Sequence, residues 1–213
     1  KPLIEASIRA TLGWTYRMLG DLNASEPHLE RALQIREEQL GLEHPETVGA
    51  MGQLAWVYFD QGRCGEAQQL CANAVEMSRR IFGDEHPTTL THMKFLGFAY
   101  MSLGRYDEAE QLYSKTAQIR RRVLSEQYPI AGHFGQLYQK QGRYAEAETM
   151  YNKQLEQTRR EWGDEHPYTL AYMRSLAEVY RQRGRYNESE SQYLKTLDIQ
   201  RRALGDEHNY TLS

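Results

Sequence analysis

A tetrad of residues recurs along this chain at a nearly fixed interval, and this repeat constrains the fold more than any other feature. The tetrad Asp-Glu-His-Pro occupies residues 84–87 and returns at 164–167, with close variants at 42–45 and 206–209. The histidines of these tetrads, His44, His86, His166 and His208, are separated by 42, 80 and 42 residues. Tyr128-Pro129 divides the long interval into 42 and 38, so the spacing indicates one structural unit repeated along the whole chain.

A second marker agrees with the first. Five glycines each precede a further small residue by 21 positions. The glycines are Gly20, Gly62, Gly104, Gly142 and Gly184, and the small residues are Gly41, Gly83, Ser125, Gly163 and Gly205. We therefore expect a single array over 1–213 with units at about 1–41, 42–83, 84–125, 126–163 and 164–205, while 206–213 begins a sixth unit.

Within each unit, apolar residues recur at helical spacing on both sides of the central glycine. Leu54, Ala55 and Tyr58 precede Gly62 as an i, i+1, i+4 stripe, which predicts a helix that ends at a left-handed glycine cap. A second stripe follows the glycine of the third unit, at Tyr106, Ala109, Tyr113 and Ala117. Arginines close this second helix, where they suit the negative end of the helix dipole, and the proline of the tetrad suits the start of the next helix. Each unit is therefore predicted to be a helical hairpin.

Composition excludes several classes of protein. The mean hydropathy of the 213 residues is −0.77, and the longest nearly uninterrupted apolar stretch, Phe95 to Met101, is far shorter than the ~18 residues that a spanning helix needs. The net charge of −3 lacks the basic surplus that binding to nucleic acid or to an anionic membrane requires. Cys64 and Cys71 would lie about 10 Å apart along one helix, too far for a disulfide. We therefore expect a cytoplasmic protein that binds neither nucleic acid nor membrane.

The spacing within the units resembles the tetratricopeptide repeat. In that family, a leucine is followed by a tyrosine four residues later, by a small residue thirteen later and by an aromatic residue seventeen later. Leu96, Tyr100, Ala109 and Tyr113 fit each of these offsets. The common period is about 34 residues, and the longer period of this chain, with Gly-Arg-Tyr at the hairpin, is similar to the kinesin light chain type. The resemblance implies an all-α, right-handed superhelical solenoid of five helical hairpins.

The resemblance also implies which residues face a ligand, because the first helix of each hairpin lines a concave groove in this family. The candidates that it places there for binding a peptide or protein partner are Trp14, Arg17, Trp56, Phe59, Lys94, Phe98, Met101, Arg174 and Arg181. These positions are mainly aromatic in the first three units and polar or charged in the last two. An aromatic floor with arginine at its margin suits a peptide with bulky apolar side chains. Packing of Trp14 and Trp56 against the adjacent hairpin explains the same pattern, and both interpretations remain open.

Two ligand types known in the family are not supported by these residues. Kinesin light chains carry paired asparagines just before the leucine of the first helix, whereas the corresponding pairs here, such as Gly52-Gln53 and Lys94-Phe95, contain no asparagine. Arrays that hold chaperone tails through a carboxylate clamp need lysine and asparagine at set positions. Only Lys94 and Arg174 supply a basic residue there.

Motifs of an enzyme, a cofactor site or a metal centre are missing. The chain has no glycine-rich phosphate loop, no His-Glu-x-x-His and no Gly-x-Ser-x-Gly. Zinc would need three or four ligands about 2 Å from one ion, whereas successive loops of such an array stand about 9 Å apart. The recurrent histidines are therefore assigned to loops and helix caps, and we expect no enzyme, no cofactor and no metal.

The fourth unit departs from the others. Pro129 to Gly142 spans thirteen residues where the other full units have seventeen, which predicts a first helix that lacks about one turn. Since four residues advance a helix by only ~40° beyond a full turn, Phe134, Gly135 and Tyr138 are expected to stay in register.

These observations predict a protein-interaction scaffold that binds a peptide or a partner helix in its groove. The alternative is the sensor or autoinhibitory part of a larger signalling NTPase, since similar arrays form the C-terminal sensors of fungal and bacterial proteins of that class. No polar capping helix follows the last unit, so apolar end faces are expected, and with them self-association through the ends of the array.

Overall fold

The computed structural model describes residues 1–123 and 130–204, and this part of the chain contains ten α-helices and no strand. The helices are α1 (Pro2–Met18), α2 (Leu22–Leu40), α3 (Pro45–Asp60), α4 (Cys64–Phe82), α5 (Pro87–Ser102), α6 (Tyr106–Val123), α7 (Ala131–Lys140), α8 (Tyr144–Trp162), α9 (Pro167–Gln182) and α10 (Tyr186–Leu204). Consecutive helices form five hairpins, so the predicted all-α repeat fold is confirmed. The landmarks Ser125, Tyr128-Pro129, Gly205 and His208, with the start of a sixth unit at 206–213, lie outside the described residues.

The chain forms two compact units, Lys1–Glu126 with α1 to α6 and Gln127–Ser213 with α7 to α10. In both units the second helix of one hairpin packs against the first helix of the next, as α2 does on α3, α4 on α5 and α8 on α9. Apolar side chains between these helices form one core in each unit. Leu29, Val48 and Met93 are among the residues of the first core, and Leu170 and Met173 belong to the second.

Glycine ends the first helix of each hairpin, as the sequence predicted. Gly62 has a φ of 75°, a backbone conformation that residues other than glycine rarely adopt. The chain then turns back, and the backbone N–H of Arg63 donates to the carbonyl of Tyr58 over 2.8 Å. Positive φ recurs at the same repeat position in the other hairpins, at Gly20, Gly104, Gly142 and Gly184.

The tetrad histidines cap the helices that follow them. The Nδ1 atom of His86 accepts a hydrogen bond from the backbone N–H of Thr88 at 3.2 Å, and Pro87 occupies the first turn, where a missing N–H costs nothing. His44 and His166 cap α3 and α9 in the same way. The prediction that these histidines serve as loop and cap residues is confirmed for the three that the structure describes.

An arginine after the turn glycine links neighbouring hairpins at Gly62 and at Gly184. The guanidinium carbon of Arg63 lies 4.1 Å from the centroid of the Tyr58 ring, and the guanidinium also pairs with Glu26 of the preceding hairpin. Arg185 repeats this arrangement, 4.4 Å from the Tyr180 ring, with its Nη1 donating over 2.9 Å to Oε1 of Glu148. We call this arginine, with its tyrosine and the carboxylate of the preceding hairpin, the inter-hairpin clamp.

The first helix of the fourth hairpin is short. Helix α7 has 10 residues, whereas α3 has 16. The prediction of a shortened helix is confirmed, although the loss of six residues exceeds the one turn expected. The register is kept, because Gly135 is buried and closely faces Tyr151, and Arg143 lies 4.1 Å from the Tyr138 ring centroid. Among the described residues, no helix is both long and apolar enough to cross a membrane.

Candidate functional site

In the compact unit Lys1–Glu126, the first helices of the three hairpins lie side by side. Corresponding residues of these helices are therefore brought together. Helix α1 contacts α3, and α3 contacts α5. The repeat of 42 residues then places Trp14, Trp56 and Phe98 at the same position on the three helices. A candidate surface for a partner therefore runs across α1, α3 and α5.

Four aromatic rings form the centre of this candidate surface. Trp56 meets Phe59 of its own helix at a centroid distance of 5.6 Å, and it meets Phe95 and Phe98 of α5 at 5.2 and 5.8 Å. Phe59 and Phe98 meet edge to face at 5.0 Å. All four side chains are half-buried. We call Trp56, Phe59, Phe95 and Phe98 the aromatic surface; its rings support one another, so they are held in place before any partner arrives.

The two interpretations of the tryptophans are therefore not exclusive. Trp56 packs against the next hairpin through Phe95 and Phe98, and it still keeps part of its ring in contact with solvent. Trp14 is more open, with 37% of its surface exposed.

Arg17 connects Trp14 to the aromatic surface. Its guanidinium carbon lies 4.8 Å from the Trp14 ring centroid and 5.5 Å from that of Trp56. Its Nε atom is 2.7 Å from Oδ2 of Asp60, so the charge is already paired. Stacking and ion pairing together fix this guanidinium at the margin of the aromatic rings.

Lys94 places a second cation at the same surface. Its Nζ lies 5.1 Å from the Phe95 ring centroid, and no carboxylate of the described residues lies within ion-pair distance of it. Burial, and then the positive charge of Arg120, lower the pKa of Lys94 below its usual range. The ammonium of Lys94 is therefore poorly solvated. A hydrogen-bond acceptor from a partner would stabilise its charged form.

Met101 does not belong to the exposed surface that the sequence predicted for it. It was expected to face a ligand, but only 5% of its surface is exposed, so it offers almost no contact area to a partner. An unbranched apolar side chain fills gaps in a core easily, which is the physical reason for its burial here.

The remaining candidates belong to the second unit and are polar. Arg181 forms a two-pronged ion pair with Glu178 on its own helix, with Nη2 and Nε at 2.6 and 2.8 Å from the two carboxylate oxygens. The hydrogen bond from Arg181 lowers the pKa of Glu178. Gln182 also donates to Glu178 and accepts from Gln139 of α7 at 3.0 Å. Arg174 is exposed. Both arginines are exposed, and Arg181 is already engaged in an ion pair within its own unit.

Two residues of the site were not named from the sequence. Phe95 is not among the predicted site residues, although it stands where the other units carry Thr11, Gln53, His133 and Ser175. An aromatic residue at an otherwise polar position was the available signal. Asp60, the ion-pair partner of Arg17, carries no such signal, because the pairing depends on how α1 and α3 are placed.

One pair of side chains looks like a nucleophile with its base. The Oγ atom of Ser78 lies 2.7 Å from Nδ1 of His92, but both residues are buried. Burial lowers the pKa of His92 to about 4, so the imidazole is neutral near pH 7. A substrate has no access to this pair, and its hydrogen bond serves the packing of α4 on α5.

The family model described as Tetratricopeptide repeat matches residues 4–70, 57–122, 126–202 and 171–213. No curated protein sequence matches this chain significantly.

Solved structures show the same fold. A single-substitution variant of the Podosopora anserina putative kinesin light chain with nearly identical TPR-like repeats is 25% identical, with a TM-score of 0.73 over 94% of this chain and 96% of that one. A Rap protein complexed with Competence and Sporulation Factor has a TM-score of 0.80 at 15% identity, over 94% of this chain and 55% of that one. BtubC from P. vanneervenii has a TM-score of 0.64 at 17% identity, over 96% of this chain and 92% of that one.

Proposed function

Since this chain belongs to the tetratricopeptide repeat family and its repeats are of the kinesin light chain-like type, we propose that it is a protein-interaction scaffold. Its first compact unit, Lys1–Glu126, binds a peptide or a partner helix on the aromatic surface. Tetratricopeptide arrays are protein-interaction modules, and the proposal concerns where this one binds and which chemistry it selects. The observation that carries it is the cluster of four mutually supporting, half-buried aromatic rings on α3 and α5.

A partner with bulky apolar side chains suits this surface best. Aromatic residues dominate the energetics of interfaces, and a rigid ring loses little conformational entropy when it is covered. Trp56 and Phe98 lie at the centre of the cluster, each in contact with further rings. We therefore assign these two residues the largest share of the binding energy.

Polar groups at the edge would orient the partner. Lys94 lies beside Phe95 without a carboxylate from the described residues, so its ammonium can donate to a carbonyl or carboxylate of the partner. Arg17 already pairs with Asp60 and is expected to contribute through its stacked guanidinium plane. Arg174 and Arg181 belong to the second unit, and their role in binding a partner stays a separate prediction for that unit.

Selection from a library of displayed random peptides tests this function before any natural partner is identified. The wild-type chain should enrich peptides with two or more bulky apolar residues. A Trp56→Ala/Phe98→Ala variant should lose that enrichment while its helical circular dichroism stays unchanged. Equal enrichment by both proteins would refute the aromatic surface as the binding site.

A role as the sensor or autoinhibitory array of a larger signalling NTPase stays a prediction. Reading the gene upstream of Lys1 for a nucleotide-binding domain tests it directly.

A further inference from the structure

An open cleft of about 380 Å³ lies where α2 meets α3 in the first unit, and it shares no residue with the aromatic surface. The buried side chains of Leu33 and Leu54 form its apolar floor. Pro27, Glu30 and Glu37 of α2 belong to its wall. Because Glu30 and Glu37 are seven residues apart, they lie on the same side of the helix, about 10 Å apart along its axis. We call this the α2–α3 cleft.

Glu37 is a carboxylate of this cleft that lacks a counter-charge. Its side chain is half-buried, and it forms no hydrogen bond or ion pair with the residues that the structure describes. Burial raises the pKa of Glu37 above its ordinary value. A charged group that is withdrawn from water is costly unless an opposite charge compensates it. A cation at this position would therefore stabilise the ionised carboxylate.

The repeat shows that Glu37 is an exception at its position. The other four hairpins carry an arginine there, namely Arg79, Arg121, Arg159 and Arg201. Arg79 pairs with Asp84 over 2.7 Å, and the same pair recurs in the fourth hairpin. In the first hairpin, Glu37 replaces the arginine, and Leu42, with 53% of its surface exposed, replaces the aspartate. The first hairpin therefore presents a carboxylate and an apolar side chain where two later hairpins hold a closed ion pair.

Two further charged residues line the cleft. Oε1 of Glu30 accepts a hydrogen bond from the Tyr58 hydroxyl over 3.0 Å, so this carboxylate is held in place at the wall. Arg31 lies on the side of α2 opposite to Leu33, since two residues turn a helix by ~200°. Its charge acts on Glu5 of α1, where it adds to the hydrogen bond from Arg9 that lowers the pKa of Glu5. The part of the cleft beside Leu33 is thus acidic.

We propose that the α2–α3 cleft binds an arginine side chain of a protein partner, with the guanidinium on Glu37 and the aliphatic stem on Leu33 and Leu54. An apolar stem that ends in a cation matches an apolar floor beside a carboxylate without a counter-charge. Arginine suits a half-buried carboxylate better than lysine does, because its guanidinium is less strongly hydrated and can donate to both carboxylate oxygens at once. This site is separate from the aromatic surface and does not rest on the proposed function.

Titration of the isotope-labelled chain with two capped tripeptides, followed by NMR, tests this site. Acetyl-Leu-Arg-Leu-amide should shift the backbone amide signals of α2 near Leu33 and Glu37, whereas acetyl-Leu-Glu-Leu-amide should leave them in place. Glu37→Gln keeps the shape of the side chain and removes its charge, so it should weaken binding of the arginine peptide by about fivefold or more. Glu37→Arg copies the other hairpins and should abolish this binding.

Glu38→Gln is the matched control. Glu38 is exposed, follows Glu37 directly in α2 and is not part of the cleft wall. Removal of its charge should change the affinity by less than about twofold.

Equal binding of both tripeptides would overturn the proposal, and so would equal affinity of the wild type and Glu37→Gln for the arginine peptide. Signal shifts confined to α3 and α5 around Trp56 would also overturn it, because the peptide would then occupy the aromatic surface instead. Failure of the aromatic surface in the library selection leaves these outcomes unchanged, so the two proposals can fail separately.

Discussion

Gly97 of α5 faces the ring of Tyr113 on α6 so closely that a Cβ atom at position 97 would lie 2.9 Å from Cδ1 of the tyrosine. Both residues are buried. The second hairpin has the reverse arrangement. Ala55, which is larger than glycine, stands at the position of Gly97, and Cys71, which is smaller than tyrosine, stands at the position of Tyr113. Large and small residues therefore compensate each other across the two helices of a hairpin.

Gly97→Ala should lower the free energy of unfolding by about 1–2 kcal/mol. Overpacking costs about 1–3 kcal/mol, and the better helix propensity of alanine returns up to about 1 kcal/mol. Urea denaturation measures the change. In the double mutant Gly97→Ala/Tyr113→Cys, which copies the second hairpin, the two effects should couple by about 1 kcal/mol or more in the stabilising direction.

Gly49→Ala is the matched control for this prediction. Gly49 is exposed on α3, and a Cβ there would meet nothing within 4 Å. The substitution should raise stability by about 0.5–1 kcal/mol through helix propensity alone. If Gly97→Ala were equally stabilising, the close approach of Gly97 to Tyr113 would have no energetic consequence.

Gln68→Glu should complete an inter-hairpin clamp that the third hairpin lacks. Arg105 stacks 4.4 Å from the Tyr100 ring centroid and pairs with Glu108, but Gln68 stands where Glu26 and Glu148 serve the other clamps. The added ion pair should stabilise the protein by about 0.3–1 kcal/mol. Thermal unfolding at low salt measures this gain, and high salt should diminish it by screening.

Gln69→Glu distinguishes the clamp from a general effect of charge. Gln69 is exposed and bonds Asn73 on its own helix, so a carboxylate there has no bridging role. Stabilisation of similar size by both substitutions would argue against the clamp.

His92 should make stability depend on pH in mildly acidic solution. Its folded pKa of about 4 lies below the usual value near 6.5, because the imidazole is buried. Between about pH 6.5 and pH 4, the unfolded chain binds a proton that the folded chain does not, so stability falls as pH is lowered through this window. The loss totals about 3 kcal/mol, since each pKa unit is worth about 1.4 kcal/mol.

His92→Ala, which copies Ala50 of the preceding hairpin, removes this titration. Urea midpoints measured from pH 7 to pH 4 should fall less steeply for the variant than for the wild type. Identical slopes would mean that His92 is not buried in its neutral form.

The sequence predicted the hairpins well because their determinants are local. Gly62 ends its helix through its own backbone conformation, and His86 caps the next helix through a bond to Thr88, two residues away. The candidate site was predicted less completely. The contact between Trp56 and Phe95, and the burial of Met101, depend on how separate helices pack. Tyr193 and Tyr151 occupy the same repeat position yet differ in exposure, which the repeat pattern alone does not encode.

The central claim is that the aromatic surface binds a peptide, and calorimetric titration with the peptide most enriched in the library selection tests it most directly. Trp56→Ala should weaken binding by about 30-fold, because a central aromatic contact is worth about 2 kcal/mol or more. Trp162→Ala, which removes an exposed tryptophan of the second unit, should leave the affinity unchanged. Equal affinity of the wild type and Trp56→Ala, with both proteins folded, would contradict the account.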